Sequence, residues 1–266
     1  MATEILTNPF IMKNFLRLFL LLLASSMMTA QLNAQTILCV DRDFGQYVDS
    51  NYTDTWAMVK SGLDMAGYTY EHWEVIEDDD PSPDANYMSS FDVVIWLTGE
   101  AWDGHVTMAE GDEFELALYL DLGGGNLFLN AQDWLWDWYP TAGTFSSGDF
   151  AHDVLGVQEV VQDEYHIEPG DNQSIADSAM WYGSPGSLAE GLAFTTNDII
   201  TTEPTDDGLY ADSIAQHMGQ NLFAVSYPHN SPGTPAIQYD AGHYRAVFTT
   251  LDVAAITDTI IRNVLI

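Results

Sequence analysis

Cysteine is all but missing. Cys39 is the single thiol in 266 residues, which excludes an intramolecular disulfide. Basic side chains are nearly as scarce: 6 Lys and Arg stand against 40 Asp and Glu, a formal net charge of −34. Such a surface repels nucleic acid and anionic membranes, attracts cations and keeps a chain in solution at high salt. A solvated surface suited to a saline setting accounts for it more simply than a dedicated acidic face. After the first 34 residues no apolar run is long enough to span a bilayer. The 7 histidines are scattered and form no H-E-x-x-H zinc spacing, and no G-x-S-x-G follows a buried strand. His105, His152 and His166 therefore receive no role, and neither a metal nor a cofactor is expected.

The amino terminus has the composition of an export signal. Lys13 and Arg17 precede the apolar stretch Leu18 to Ala24, and Leu32-Asn33-Ala34 ends in a residue small enough for cleavage. The expected product starts near Gln35 and is secreted or periplasmic, with no membrane contact after residues 1–34 are removed. That removal takes away Lys13, Arg17 and Glu4, leaving 4 − 39 = −35. About 230 residues at 47% apolar composition suit one domain.

The stretch Asp121 to Trp138 organises the rest. Thr107-Met108-Ala109-Glu110 matches a capping box, so a helix should begin there. Phe114, Ala117, Leu118 and Leu122 recur at the spacing of one helical stripe, and Gly123 to Gly125 supply the stop. Leu127, Phe128 and Leu129 form a run without alternation, which suits a strand covered on both faces. Ligands in open α/β sheets bind beyond the carboxyl ends of such strands. Asn130, Gln132 and Asp133 therefore stand where a site would be, unless they only make a hydrogen-bonded turn.

Similar units flank this hub. Thr36 to Val40 reads as a first strand, with Cys39 as a small buried hydrophobe and Asp41 and Asp43 at its carboxyl end; they would hold a cation or cap the next loop. Asp54 to Ala66 reads as a helix closed by Gly67, Tyr68 to Ile76 as a strand, and Glu77 to Pro83 as an exposed loop. Phe91 to Leu97 is another buried strand, followed by Glu100 on the same edge as Asp41. Trp134, Trp136 and Trp138 would make a stacking platform for sugars, or would roof the core. Phe150 to Leu155 reads as a short helix, and 158–206 as an irregular insertion of short strands and loops. Leu222 to Ser226, Ala236 to Tyr239 and Tyr244 to Thr249 read as closing strands, with a hairpin turn at Asp240 to His243. Leu251 to Ile266 reads as a final amphipathic helix. The alternation predicts an α/β fold: a three-layer, mostly parallel, flavodoxin-like sheet with helices on both faces and a late antiparallel hairpin.

The series ILCVD, AGY, FDVVIWLTGE, LGGGNLFLNAQD and AIQYDAGHYRAVF resembles the class I glutamine amidotransferase-like superfamily over most of residues 36–266, as that fold occurs in exported bacterial multidomain proteins. The resemblance implies a cysteine at a strand-to-helix elbow, paired with a late histidine and an acidic residue. Here the elbow falls near Ala131-Gln132 and carries no nucleophile. His229 and His243 lack the expected His-Pro-Glu context. The resemblance thus implies a module without a triad, acting by binding a small molecule, a glycan or a protein. Asp41, Asp43, Glu100, Gln132, Asp133 and Trp134 are its candidate ligand-binding residues. The rivals are a carboxylate- or metal-dependent hydrolase using Asp41, Glu100 and Asp133, and a carbohydrate-binding surface on the Trp134–Trp138 loop.

Overall fold

In the computed structural model the Leu127–Leu129 run belongs to the middle strand of a seven-stranded sheet. The structure describes residues 35–44, 54–99, 101, 107–108, 110–139, 143–167, 180–195, 209–225 and 233–256. The expected leader, Glu100, His105, His229 and the last ten residues lie outside the described residues.

The chain opens with β1 (Ile37–Asp41), buried along its whole length. Helix α1 (Thr55–Ala66) follows. Asp54 Oδ1 accepts the Ala57 amide 2.6 Å away at its start, and Gly67 closes it at φ 79°, a conformation that favours glycine. Next come the edge strand β2 (Tyr70–Glu74), the single turn α2 (Ala85–Met88) and the buried β3 (Val93–Gly99). Helix α3 (Glu110–Gly123) leads into β4 (Asn126–Ala131), and α4 (Trp134–Trp138) leaves it. After α5 (Phe150–Asp153) the chain forms β5 (Val157–Ile167), β6 (Trp181–Gly183), β7 (Ala193–Phe194), β8 (Leu209–His217), β9 (Gln220–Asn221) and β10 (Phe223–Val225). The hairpin β11 (Ala236–Asp240) and β12 (Arg245–Thr249) follows, and then a 3-10 turn at Val253–Ala255.

The central sheet runs β2-β1-β3-β4-β12-β11-β9. Its first five strands are parallel, while β11 pairs antiparallel with β12 and with β9. The fold is α/β with a mostly parallel sheet. Two antiparallel sheets accompany it, a β5-β8 ribbon and β10-β6-β7. Among the described residues no helix is long and apolar enough to cross a membrane.

Strand alternation divides the core. Leu38, Val40, Val94, Trp96, Leu127, Leu129, Ala246 and Phe248 face one way and pack with α2 to α5. Ile37, Cys39, Ile95 and Leu97 face the other way and meet Val59 and Leu63 of α1. Farther along that second face, Trp181, Phe194 and Phe223 of the small sheet cluster with Ala236 and Leu251. Toward the hairpin the second face is packed by strands of the small sheet.

Four readings of the sequence need correction. The buried face of α3 carries Leu116, Tyr119 and Leu120, whereas Phe114 and Leu122 are 64% and 79% exposed. Apolar residues lie all round this helix, so their spacing alone could not fix which stripe turns inward. Phe223–Val225 closes the small sheet by pairing with β6 and is not part of the central one. The segment after Leu251 starts as a 3-10 turn, because Asp252 Oδ1 takes the Ala254 amide 3.0 Å away. The irregular stretch also holds a long strand, β5, whose partner β8 lies beyond its expected end at residue 206.

Candidate functional site

At the carboxyl end of the sheet, most polar side chains that the sequence offers to a ligand are bonded to the protein itself. Asp41 ends β1, and its Oδ2 lies 3.0 Å from His72 Nε2 on the neighbouring strand. The indole of Trp56 stacks on that imidazole, with ring centroids 4.2 Å apart. Asp43 Oδ2 accepts the Trp56 amide at 2.8 Å. Two carboxylates, Asp43 and Asp54, therefore serve the first turn of α1, where the helix dipole favours negative charge. Asp43 is a cap, one of the two roles its position allowed.

Gly99 binds these pieces together. At φ 56° it is so close to α1 that an added Cβ would lie 2.8 Å from Thr55 Oγ1 and 3.1 Å from Asp43 Cβ. Its carbonyl accepts the Gln132 amide at 3.1 Å. The exits of β1, β3 and β4 thus meet around one glycine. Thr55 Oγ1 donates to Asp252 Oδ2 at 2.9 Å, and Asn130 Nδ2 donates to the Leu251 carbonyl at 2.9 Å. These bonds tie the chain after β12 across the edge. Gln132, 1% exposed, donates through Nε2 to Asp133 Oδ2 at 3.1 Å. Asp133 stands at the N-cap position of α4 and is itself buried.

Trp134 is fully buried and meets Phe150 and Phe248 edge-on, with centroids 5.8 and 5.7 Å apart. It belongs to the core roof and cannot be part of a stacking platform. The physical reason is the helix: a tryptophan two positions along turns about 200° away, and Trp136 is indeed 38% exposed. The structure thus brings Asp41, Asp43, Gln132 and Asp133 to one edge, buries Trp134 beneath it, and leaves Glu100 outside the described residues.

Sequence reasoning missed two neighbours. Arg42 is 2% exposed, its Nη1 lying 2.7 Å from Asp112 Oδ2 at the start of α3 and 2.8 Å from Ser82 Oγ. Burial lowers its pKa, opposed by Asp112, then Asp78 and Asp80; the guanidinium nevertheless stays charged. No motif marks this pair, since its partners are 70 residues apart. His72 pairs in strand register with Cys39, so cysteine, histidine and Asp41 share one face of adjacent strands. The period-two pattern of Tyr70, His72 and Glu74 was the available signal. The constellation is not an activated nucleophile. Burial, and then Asp41, pushes the Cys39 thiol up to about 12, and nucleophilic attack needs the thiolate.

The late histidine His243 lies at the other end of the sheet, 3.3 Å from Asp121 Oδ1. It precedes β12, whose Arg245 pairs with Asn126 at the start of β4. The elbow after β4 is therefore about five strand residues, or roughly 17 Å, away. Among the described residues no group of three or more His, Cys, Asp or Glu is arranged to hold a metal ion.

No protein-family model matches the chain. Over 112 residues it is 30% identical to aspergillopepsin-1 of Aspergillus oryzae and, equally, of Aspergillus pseudoglaucus, a match covering 42% of this chain and 27% of each relative. The chain thus spans about a quarter of the length of these curated relatives. Among solved structures, it superposes on a β-galactosidase from Bacillus circulans sp. alkalophilus with TM-score 0.52 at 11% identity, covering 87% of this chain and 30% of that one. A catalytic mutant of a GH42 β-galactosidase from G. stearothermophilus gives TM-score 0.51, also at 11% identity, covering 87% and 29%. At this identity the likeness is one of fold, shared with less than a third of each enzyme.

Proposed function

We propose that this chain is a non-catalytic, carbohydrate-associated module, a recognition or accessory domain of the kind of α/β unit carried within β-galactosidases. The observation carrying the proposal is the commitment of the carboxyl edge. Asp41, Asp43, Asn130 and Gln132, with Thr55 and Asp252 beside them, make bonds within the protein, and the lone thiol is held neutral. The fold-level likeness to part of two β-galactosidases supports a carbohydrate context. The strand order β2-β1-β3-β4-β12 is that of flavodoxin-like sheets. It supports assigning the chain to the amidotransferase-like, three-layer architecture, with Ala131-Gln132 near where active members place their nucleophile. The charged, then apolar, amino terminus supports export to the periplasm or medium.

Purified protein tests this by two measurements. A glycan panel should give saturable binding of at least one saccharide. Nitrophenyl β-galactoside, glutamine and casein at acidic pH should all be left intact. Turnover of any of the three, abolished by Asp41→Asn or Asp133→Asn, would replace the module by an enzyme.

A further inference from the structure

At the amino-terminal end of β12 the second face of the sheet emerges from under the small sheet and lies open. A groove of about 370 Å³ is found there, within the roughly 300–1,000 Å³ typical of small-molecule sites. Val247 contributes to its wall, and Leu188 and Met218, 73% and 43% exposed, border it. These aliphatic groups suit the C–H face of a sugar ring.

The polar lining is pre-arranged. The Leu188 amide donates to Gln238 Oε1 at 2.8 Å, Gln238 Nε2 donates to Gln220 Oε1 at 3.0 Å, and Gln220 Nε2 donates to the Pro185 carbonyl at 2.9 Å. Both amides are fixed by this chain, and each nitrogen has a second hydrogen to donate. At the open end Arg245 Nε lies 3.4 Å from Asp240 Oδ2, both side chains exposed. Guanidinium and carboxylate together offer adjacent donors and acceptors, the pairing that vicinal hydroxyls satisfy. Close strand approach shapes the groove: a Cβ on Gly219 would meet the Gln238 carbonyl oxygen at 2.4 Å.

We propose that this groove, between the loop holding Leu188 and the β11-β12 hairpin, is a binding site for a neutral saccharide. Neutrality follows from charge. Arg245 is already paired with Asp240, and the −34 charge of the chain opposes anionic ligands. The proposal rests on the carbohydrate reading above and gives it a place.

Calorimetric titration with lactose tests it, using wild type, Arg245→Ala, Asp240→Asn and Trp136→Ala. Both groove positions are exposed, so the two groove variants should fold, which thermal unfolding checks. Saturable binding that is weakened about tenfold in each groove variant, and hardly altered by salt, is the expected result. Unchanged affinity in both, or a loss confined to Trp136→Ala, would overturn the groove while leaving the carbohydrate reading in place. Tighter binding of digalacturonate than of lactose would overturn the neutral class. No binding of lactose or of any other member of the glycan panel, neutral or acidic, would overturn both proposals.

Discussion

The two ends of the central sheet hold similar side chains in opposite states. At the carboxyl end, acids and amides are buried and used: Asp43 caps α1, Asp41 holds His72, Asn130 and Thr55 fasten the chain after β12. At the amino-terminal end of β12, beside the hairpin turn, amides are fixed but retain hydrogens to donate, and Arg245 with Asp240 stands in solvent. A carboxyl edge is where α/β sheets commonly bind ligands. The contrast teaches that such a location creates an opportunity, and hydrogen-bond inventory decides whether it is taken.

Substitutions can break or sharpen this contrast. The largest effect is expected for Trp134→Ala, which deletes a fully buried indole and should cost about 4 kcal/mol in urea denaturation. Trp136→Ala should stay within about 0.5 kcal/mol. Equal effects would mean that the loop does not divide into core and surface as described. Arg42→Met should cost about 3 kcal/mol, since it strands Asp112 without its cation. Adding Asp112→Leu should restore most of that loss; failure to do so would show that Arg42 acts through something other than the pair. Asp43→Ala should cost about 1 kcal/mol as a lost cap, measured by the same urea denaturation, whereas no loss would return its carboxylate to the pool available for ligands.

At neutral pH the smallest effect is the titration of Cys39, which appears only in alkali. Its folded pKa, about 12, lies above the ordinary thiol value of 9.0, so its contribution to stability is complete below pH 9 and declines as pH rises toward 12. The decline is at most about 1.4 kcal/mol per pH unit. Wild type should lose more stability than Cys39→Ala between these limits, and native protein should resist thiol reagents at neutral pH. Rapid labelling would show an accessible thiolate and reopen the case for a nucleophile beside His72.

The parallel half was largely legible in the sequence. Unbroken apolar runs such as those in β3 and β4, the Asp54 and Gly67 ends of α1, and the Asp240 to His243 turn are local signals that depend on few distant partners. The antiparallel half was not. β5 finds β8 some 50 residues away, and its register shifts repeatedly, so no nearby turn announces the pairing. Of the candidate site, the sequence placed Asp41, Asp43, Gln132 and Asp133 on the correct edge but could not reveal their partners. The Arg42–Asp112 pair and the Gln220–Gln238 ladder join residues that are distant or unremarkable in sequence. The choice between a platform and a roof for the tryptophans was not legible, because it turns on the helix, which sends Trp134 into the core and Trp136 to the surface.

Amide chemical-shift mapping of the isotopically labelled protein during lactose titration tests the contrast most directly. Perturbations should gather at residues 186–190, 218–220, 238–240 and 245–247 and leave residues 41–43 and 130–134 unmoved. Shifts concentrated around Asp41, Gly99 and Asp133 would contradict the account and return the ligand to the carboxyl end of the sheet.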